Sequence, residues 1–371
     1  MPSLCFVPLR RLLRDDLFPL RGIVVLVVLA EWSGRLGGAP PQGSADPAKK
    51  IDTSPLVHEC ILKAPPAEVW KVWSSGEGFK ALGVAKAEVD LRVGGLIRSH
   101  YKPEGVLGDD GTIQNEIIAF EPERMIAFRI QKPPKGFPFS QAFKSTWSVV
   151  TMTDLGDGRT HLRLAGLGYG ADEESQAMRR FFETGNAWSL QRLQAHFDTS
   201  VPTRSGATAH AEPPLAPVDV DALVAAPRED VYRAYTTSEG WKAFFGADSQ
   251  IEARPGGRFE IYFQPTAAAG QRGSEGCKVL SLLPGEMFSH TWNAPPKFPN
   301  ARERPTWVVV EFEAVQAKLT RVRIRHLGFD EAAAADPPHA AELQETRKYF
   351  QSAWPKVLTA LRDHFDKSTP K

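Results

Sequence analysis

Ala64-Pro65-Pro66-Ala67-Glu68-Val69-Trp70 and Ala226-Pro227-Arg228-Glu229-Asp230-Val231-Tyr232 open two stretches that decide how this chain is read. Shifted by 162 residues, Ala64–Pro134 lies on Ala226–Pro296 without a gap, with 18 identities in 71 positions. Glu77-Gly78-Phe79-Lys80 meets Glu239-Gly240-Trp241-Lys242, Gly94-Gly95 meets Gly256-Gly257, and Pro122 and Met125 meet Pro284 and Met287. Small slips carry the match on. Thr146-Trp147 meets Thr306-Trp307 at a shift of 160, and His196-Phe197-Asp198 meets His364-Phe365-Asp366 at a shift of 168. Self-similarity of this length is the mark of a duplicated unit.

Each unit reads as a strand (56–62 or 218–224), an Ala-Pro helix start, a second short helix, a run of strands, and one long helix. Phe259, Ile261 and Phe263 alternate with polar residues, which marks a sheet with one buried face. Gly156-Asp157-Gly158 predicts a hairpin turn. Phe181, Phe182, Trp188, Leu190, Leu193 and Phe197 recur at roughly helical spacing. Strands grouped between helices predict an α+β fold with an antiparallel sheet. The aromatic face of the long helix must then bury itself against the concave side of that sheet. The organisation expected is a leader over 1–50, a first domain over 56–198, a Pro/Ser/Ala/Gly-rich linker over 199–217 and a second domain over 218–368.

The whole sequence bounds the function. It has 371 residues, 45 Lys+Arg against 44 Asp+Glu, and a net charge of +1. No basic excess favours nucleic acid. The three cysteines, Cys5, Cys60 and Cys277, show no metal-site spacing, and Cys60 and Cys277 read as buried free thiols. No apolar run approaches the roughly 20 residues of a membrane span. Arg10, Arg11, Arg14 and Arg21 precede the apolar run Gly22–Ala30, and small residues follow, the order of a secretory signal peptide. Export to the periplasm or beyond is expected if residues 1–45 are one, and a cytoplasmic location otherwise.

Ala-Pro-x-x-x-Val-Trp/Tyr, Glu-Gly-Phe/Trp-Lys, Gly-Gly-x-Phe/Ile and Leu-Gly-Phe/Tyr before an amphipathic terminal helix resemble the SRPBCC (START-like) superfamily. Within it, both halves (56–198 and 218–366) are most similar to the family named for the C-terminal domain of the activator of the heat-shock-protein ATPase. The resemblance implies two tandem helix-grip domains, each a curved antiparallel sheet wrapped around a long C-terminal helix. It also implies a cavity between helix and sheet, where relatives bind lipids, hormones, polyketides or other apolar molecules. A co-chaperone role is not expected, because the Asn-rich, Trp-containing N-terminal signature of that activator has no counterpart in residues 1–55, which lack Asn.

The expected function is therefore non-catalytic binding of a small hydrophobic molecule. A cyclase, aromatase or hydrolase using the same cavity is the alternative, with an interaction protein as a third reading. Candidate cavity residues are Phe128, Trp147, Phe181 and Trp188 in the first copy. In the second they are Phe259, Phe263, Trp292, Trp307, Tyr349 and Trp354. The loops Pro133–Pro138 and Pro295–Pro299 connect strands, and Phe137 and Phe298 are candidate lids at the cavity mouth. No catalytic set, cofactor or metal is expected: His-Glu-x-x-His, Cys-x-x-Cys and Gly-x-Ser-x-Gly are absent. Gly166-Leu167-Gly168-Tyr169-Gly170 precedes Asp172, Glu173 and Glu174, acids that repel phosphate, so it reads as a strand-to-helix turn. The repeated His-Phe-Asp reads as helix capping. Arg321, Arg323 and Arg325 alternate with Val322 and Ile324 and read as a solvated strand face.

Overall fold

The computed structural model describes residues 51–199 and 215–368. The candidate signal peptide and most of the candidate linker lie outside the described residues. The first repeat runs β1 (Leu56–Leu62), α1 (Pro66–Ser74), α2 (Gly76–Phe79), β2 (Lys86–Val89), β3 (Leu96–His100), β4 (Ile113–Glu121), β5 (Met125–Lys132), β6 (Trp147–Asp154), β7 (Thr160–Leu167) and α3 (Glu173–Thr199). The second runs β8 (Val218–Val224), α4 (Arg228–Thr236), α5 (Ser238–Phe245), β9 (Asp248–Ile251), β10 (Phe259–Tyr262), β11 (Val279–Leu283), β12 (Met287–Trp292), α6 (Pro299–Arg302), β13 (Thr306–Gln316), β14 (Leu319–Leu327), α7 (Phe329–Ala335) and α8 (Ala340–Ser368).

The first sheet is antiparallel, in the order β1-β7-β6-β5-β4-β3-β2. In the second repeat β11-β12-β13-β14-β8 repeats that order. The β9–β10 hairpin continues it through a bridge between Arg258 and Lys278. Registers agree too: Leu56 faces Gly166 as Val218 faces His326, and Trp147 faces Leu167 as Trp307 faces Leu327. The fold is thus two tandem α+β helix-grip units, as the sequence predicts.

The shared motifs have local causes. Ser75 caps α2 by accepting from the Gly78 N–H, and Thr237 caps α5 by accepting from the Gly240 N–H. A Cβ on Gly78 would lie 2.0 Å from the Lys71 carbonyl oxygen, and one on Gly240 would lie 2.1 Å from that of Ala234. Only glycine lets the second helix fold back so tightly on the first, which explains the repeated Glu-Gly.

The middle strands of each sheet offer one face to their own long helix and the other to the opposite repeat, while Val57, Ile61 and Leu223 on the edge strands stay exposed. On β13, Val308, Val310 and Phe312 belong to the second core. Trp307 and Val309 instead join Leu283, Met287 and Leu327 in the core of the first repeat. The two sheets therefore pack back to back. Trp307 Nε1–H donates to the Phe120 carbonyl at 2.8 Å, and Trp147 Nε1–H donates to the Leu282 carbonyl at 3.2 Å. These bonds are reciprocal, because Phe120 and Leu282 are equivalent positions of the repeat, as are Trp147 and Trp307. Gly168 (φ +82°) and Gly328 (φ +93°) turn the chain in the left-handed region beside those indoles. A Cβ on either would fall within 3 Å of the adjacent tryptophan ring. That is the physical content of the repeated Leu-Gly.

Arg323 and Arg325 face the other repeat and are about a fifth exposed, at 22% and 21%. The solvated-face reading fails for them, because the duplication itself covers that side of the sheet. Cys60 and Cys277 are buried free thiols.

Replacing Trp307 by Phe keeps the apolar contact and strands the buried Phe120 carbonyl. Urea unfolding of Trp307→Phe should show a loss of about 1–2 kcal/mol, and Trp147→Phe a comparable one. Unchanged midpoints in both would mean that the indole bonds do not hold the repeats together.

Candidate functional site

The second interior is filled. On α8, Leu343, Thr346, Phe350, Trp354, Val357, Leu358 and Leu361 form one continuous buried stripe. Phe259 stacks on His290 with ring centroids 4.0 Å apart, and Trp292 lies 5.2 Å from Trp354.

The polar groups along the centre of this interior are paired in sequence, while the Tyr232 hydroxyl at its margin has no partner. Trp354 Nε1–H donates to His326 Nδ1 at 3.0 Å. Since an indole N–H only donates, His326 carries its proton on Nε2 and gives it to Thr306 Oγ1 at 2.6 Å. Thr306 in turn donates to the Trp292 carbonyl at 3.0 Å. His290 Nδ1 lies 3.0 Å from the Thr291 carbonyl and must donate to it, so Nε2 accepts from the Tyr235 hydroxyl at 3.1 Å. Burial keeps both imidazoles neutral. It lowers the His290 pKa to about 3, and it lowers that of His326 too, with His290 adding to the effect.

The first interior is different. Helix α3 buries Ser175 and Met178 near its start and Leu190 and Leu193 near its end, and nothing between. Its apolar residues divide into a main cluster containing Leu190 and Leu193 and a separate one containing Met178, Tyr169 and Phe139. The second repeat has one cluster over the same course. The position of Trp354 holds Asn186, that of His326 holds Gly166, and that of His290 holds Phe128. An indole and an imidazole have thus been exchanged for an amide and a hydrogen. Tyr169 reaches over Gly166, its hydroxyl 3.0 Å from where a Cβ would stand.

Trp73, the counterpart of Tyr235, stacks on Phe128 with centroids 6.2 Å apart. With Phe128 where His290 would be, the buried Trp73 Nε1–H has no hydrogen-bond partner.

The twelve residues predicted from sequence distribute over several places. Phe128 lines the helix side of the first sheet, half-buried. Phe181 and the loop residue Phe137 meet edge-on at 6.1 Å in the separate cluster, with Phe139 5.6 Å from Phe181. Trp188 packs against Gly83, with the Arg192 guanidinium 5.1 Å from its ring. Trp147 and Trp307 are committed to the junction between repeats. Phe259, Trp292 and Trp354 are core. Phe263 is 42% exposed, 5.7 Å from Phe245. Phe298 and Tyr349 stand 6.1 Å apart at the rim, with Lys297 Nζ 4.5 Å from the Tyr349 ring. Trp73, Tyr169 and Asn186 are not among these twelve; the signal for them is where the two copies differ, not where they agree.

A charged cluster closes one end of the junction. Arg163 Nη1 pairs with Glu286 at 2.5 Å. The equivalent contact would oppose Arg323 to Arg124, since Arg124 occupies the position of Glu286. Two carboxylates intervene. Glu311 lies 2.8 Å from Arg124 and 3.5 Å from Arg323. Glu121, fully buried, lies 3.3 Å from both Arg124 Nε and Arg325 Nε, and 3.8 Å from Arg323. Neither Glu121 oxygen has a hydrogen bond of good geometry. Burial, with Glu311 adding repulsion, pushes its pKa up to about 7 against the pull of Arg325, Arg124 and Arg323. A cleft of about 470 Å³ beside it is lined by Arg124, Asp221, Glu311, Glu313, Arg321 and Arg323. Among the described residues no cluster of three His, Cys, Asp or Glu is placed to hold a metal, and no helix is long and apolar enough to cross a membrane.

A curved antiparallel sheet closed on a final helix, built twice and joined back to back, defines a tandem helix-grip protein. The model of the family described as "Activator of Hsp90 ATPase homolog 1-like protein" matches residues 63–198 and 225–366, and the chain belongs to that family. Similar solved structures include the di-domain ARO/CYC BexL from the BE-7585A biosynthetic pathway, 13% identical over 83% of this chain and 97% of that one, with a TM-score of 0.32. The Aha1 dimer from Colwellia psychrerythraea is 13% identical over 39% of this chain and 96% of its own (TM-score 0.32). Ms6760 from Mycobacterium smegmatis is 20% identical over 41% and 95% (TM-score 0.31). No curated protein matches the chain.

Two pH dependences of opposite sign follow. His290 and His326 are neutral when folded and bind protons when unfolded. Their contribution is complete above about pH 6.5 and is lost as pH falls from there towards 3, at up to roughly 1–3 kcal/mol per pH unit for the pair. Urea midpoints between pH 7 and 4.5 should fall less steeply in His290→Gln. The raised Glu121 pKa acts the other way. Its contribution is complete below about pH 4.5 and is lost as pH rises through about 7. Glu121→Gln should remove that loss between pH 6 and 8; a variant as alkali-sensitive as the parent would refute this role for Glu121.

Proposed function

We propose that the chain is a binding protein for a small, predominantly apolar molecule, held in the first repeat between α3 and the sheet, while the second repeat is a filled scaffold. One observation carries this reading. The long helix of the first repeat has no fully buried residue over the three turns between Met178 and Leu190, whereas its counterpart carries buried residues in every turn from Leu343 to Leu361. A helix that spans a sheet without filling the space beneath it forgoes stability that close packing would supply. The flanking walls, Leu190 and Leu193 on one side and Met178 and Phe181 on the other, suit an apolar guest. The loop carrying Phe137 and Phe139 leans on Phe181 and serves as the lid. The neutral, hydrogen-bonded histidines of the second interior are enclosed, and the reading gives them a structural part.

Nile red, an uncharged apolar dye, tests this with the purified full chain. It should bind with a stoichiometry of one per chain. Asn186→Trp rebuilds in the first repeat the residue that fills the second. It should abolish binding and raise the melting temperature by a few degrees. Two dye sites per chain, or undiminished binding in a folded Asn186→Trp, would contradict the assignment.

A further inference from the structure

Resting on the first-repeat reading above, we infer that the guest is uncharged and carries a hydrogen-bond acceptor, such as a ketone or ester carbonyl, that receives the Trp73 indole N–H. Trp73 is 3% exposed, and its Nε1–H is buried without a partner. A buried donor left unmade is costly, and nearly all such groups in folded proteins are paired. The equivalent group in the second repeat, the Tyr235 hydroxyl, is satisfied by His290 at 3.1 Å. The first repeat has Phe128 there, which offers a ring face and no lone pair, so an acceptor has to come from elsewhere.

Two further polar groups stand on the same course. Asn186 lies on the stripe of α3 that contains Met178 and Leu190, and its amide makes no hydrogen bond among the described residues. The Tyr169 hydroxyl over Gly166 likewise makes none, and burial pushes its pKa up, so it stays a protonated donor at neutral pH. In the second repeat the matching positions are linked through Tyr235, His290, Trp292 and Trp354, whose successive rings lie 6.2, 5.3 and 5.2 Å apart. Arg179, the cation beside Tyr169, is already paired with Asp52 at 2.8 Å, which leaves a carboxylate or phosphate without a free counter-charge there. The chemistry left is an apolar skeleton with one or two neutral oxygens.

A matched pair of probes separates this inference from the reading beneath it. 2-Acetylnaphthalene and 2-isopropylnaphthalene have nearly the same shape and differ in one carbonyl. Titrated into the full chain, the ketone should bind roughly fivefold to tenfold more tightly, the gain of one satisfied buried donor. Trp73→Phe should erase the preference by weakening the ketone alone, and Trp73→Tyr, which restores a donor, should recover part of it. Equal affinities for the two probes in the parent chain would overturn the inference and leave the proposed function standing. So would a preference that survives Trp73→Phe. Failure of both probes to bind would overturn both. Should Trp73→Phe not fold, the parent ratio decides alone.

Discussion

Two indole N–H groups reach across the junction between the repeats, each ending on a backbone carbonyl of the other sheet, and the remaining architecture is arranged around that contact. A sheet has two faces. Here one is covered by the long helix of its own repeat and the other by the neighbouring sheet. Trp147 and Trp307 are large enough to cross the gap and polar enough to satisfy a carbonyl at its far side. Positions 168 and 328 are glycine because the chain there is left-handed and because a side chain would strike those rings.

Duplication then permits a division of labour. Once two copies share a junction, one can be packed for stability while the other keeps an imperfect interior. The second repeat runs Tyr235, His290, Trp292, His326 and Trp354 into a satisfied polar and aromatic core. The first has traded the corresponding residues for Trp73, Phe128, Ile130, Gly166 and Asn186. That exchange removes volume and leaves donors unpaired, two properties that make a poor core and a suitable receptacle.

Much of this was legible in the sequence. The repeat, the strands at 56–62 and 218–224, the paired short helices and the closing helix all follow from residues that both copies share, because local propensity and buried packing select the same residues twice. The site was less legible, for the same reason. Trp147 and Trp307 look like cavity walls because they are shared and aromatic, yet they are shared because the junction needs them. Asn186 and Gly166 attract no notice in a search for agreement. The burial of Arg323 and Arg325 depends on a sheet-to-sheet contact, which no single strand's alternation encodes.

The charged end of the junction bears on how such a protein can evolve. A self-complementary dimer of identical subunits must oppose every residue to its own symmetry mate's neighbours. An arginine at the position of Arg124 would then meet an arginine on both sides at once. In one continuous polypeptide the two halves mutate separately, so the position can be Glu286 in one half and Arg124 in the other. The conflict left at one end is absorbed by Glu121 and Glu311. Covalent linkage also keeps the halves at high effective concentration, so a contact too weak to assemble free subunits still holds. Gene fusion thus frees a symmetric interface to become lopsided, and the ionisable carboxyl sealed at one end has no twin at the other.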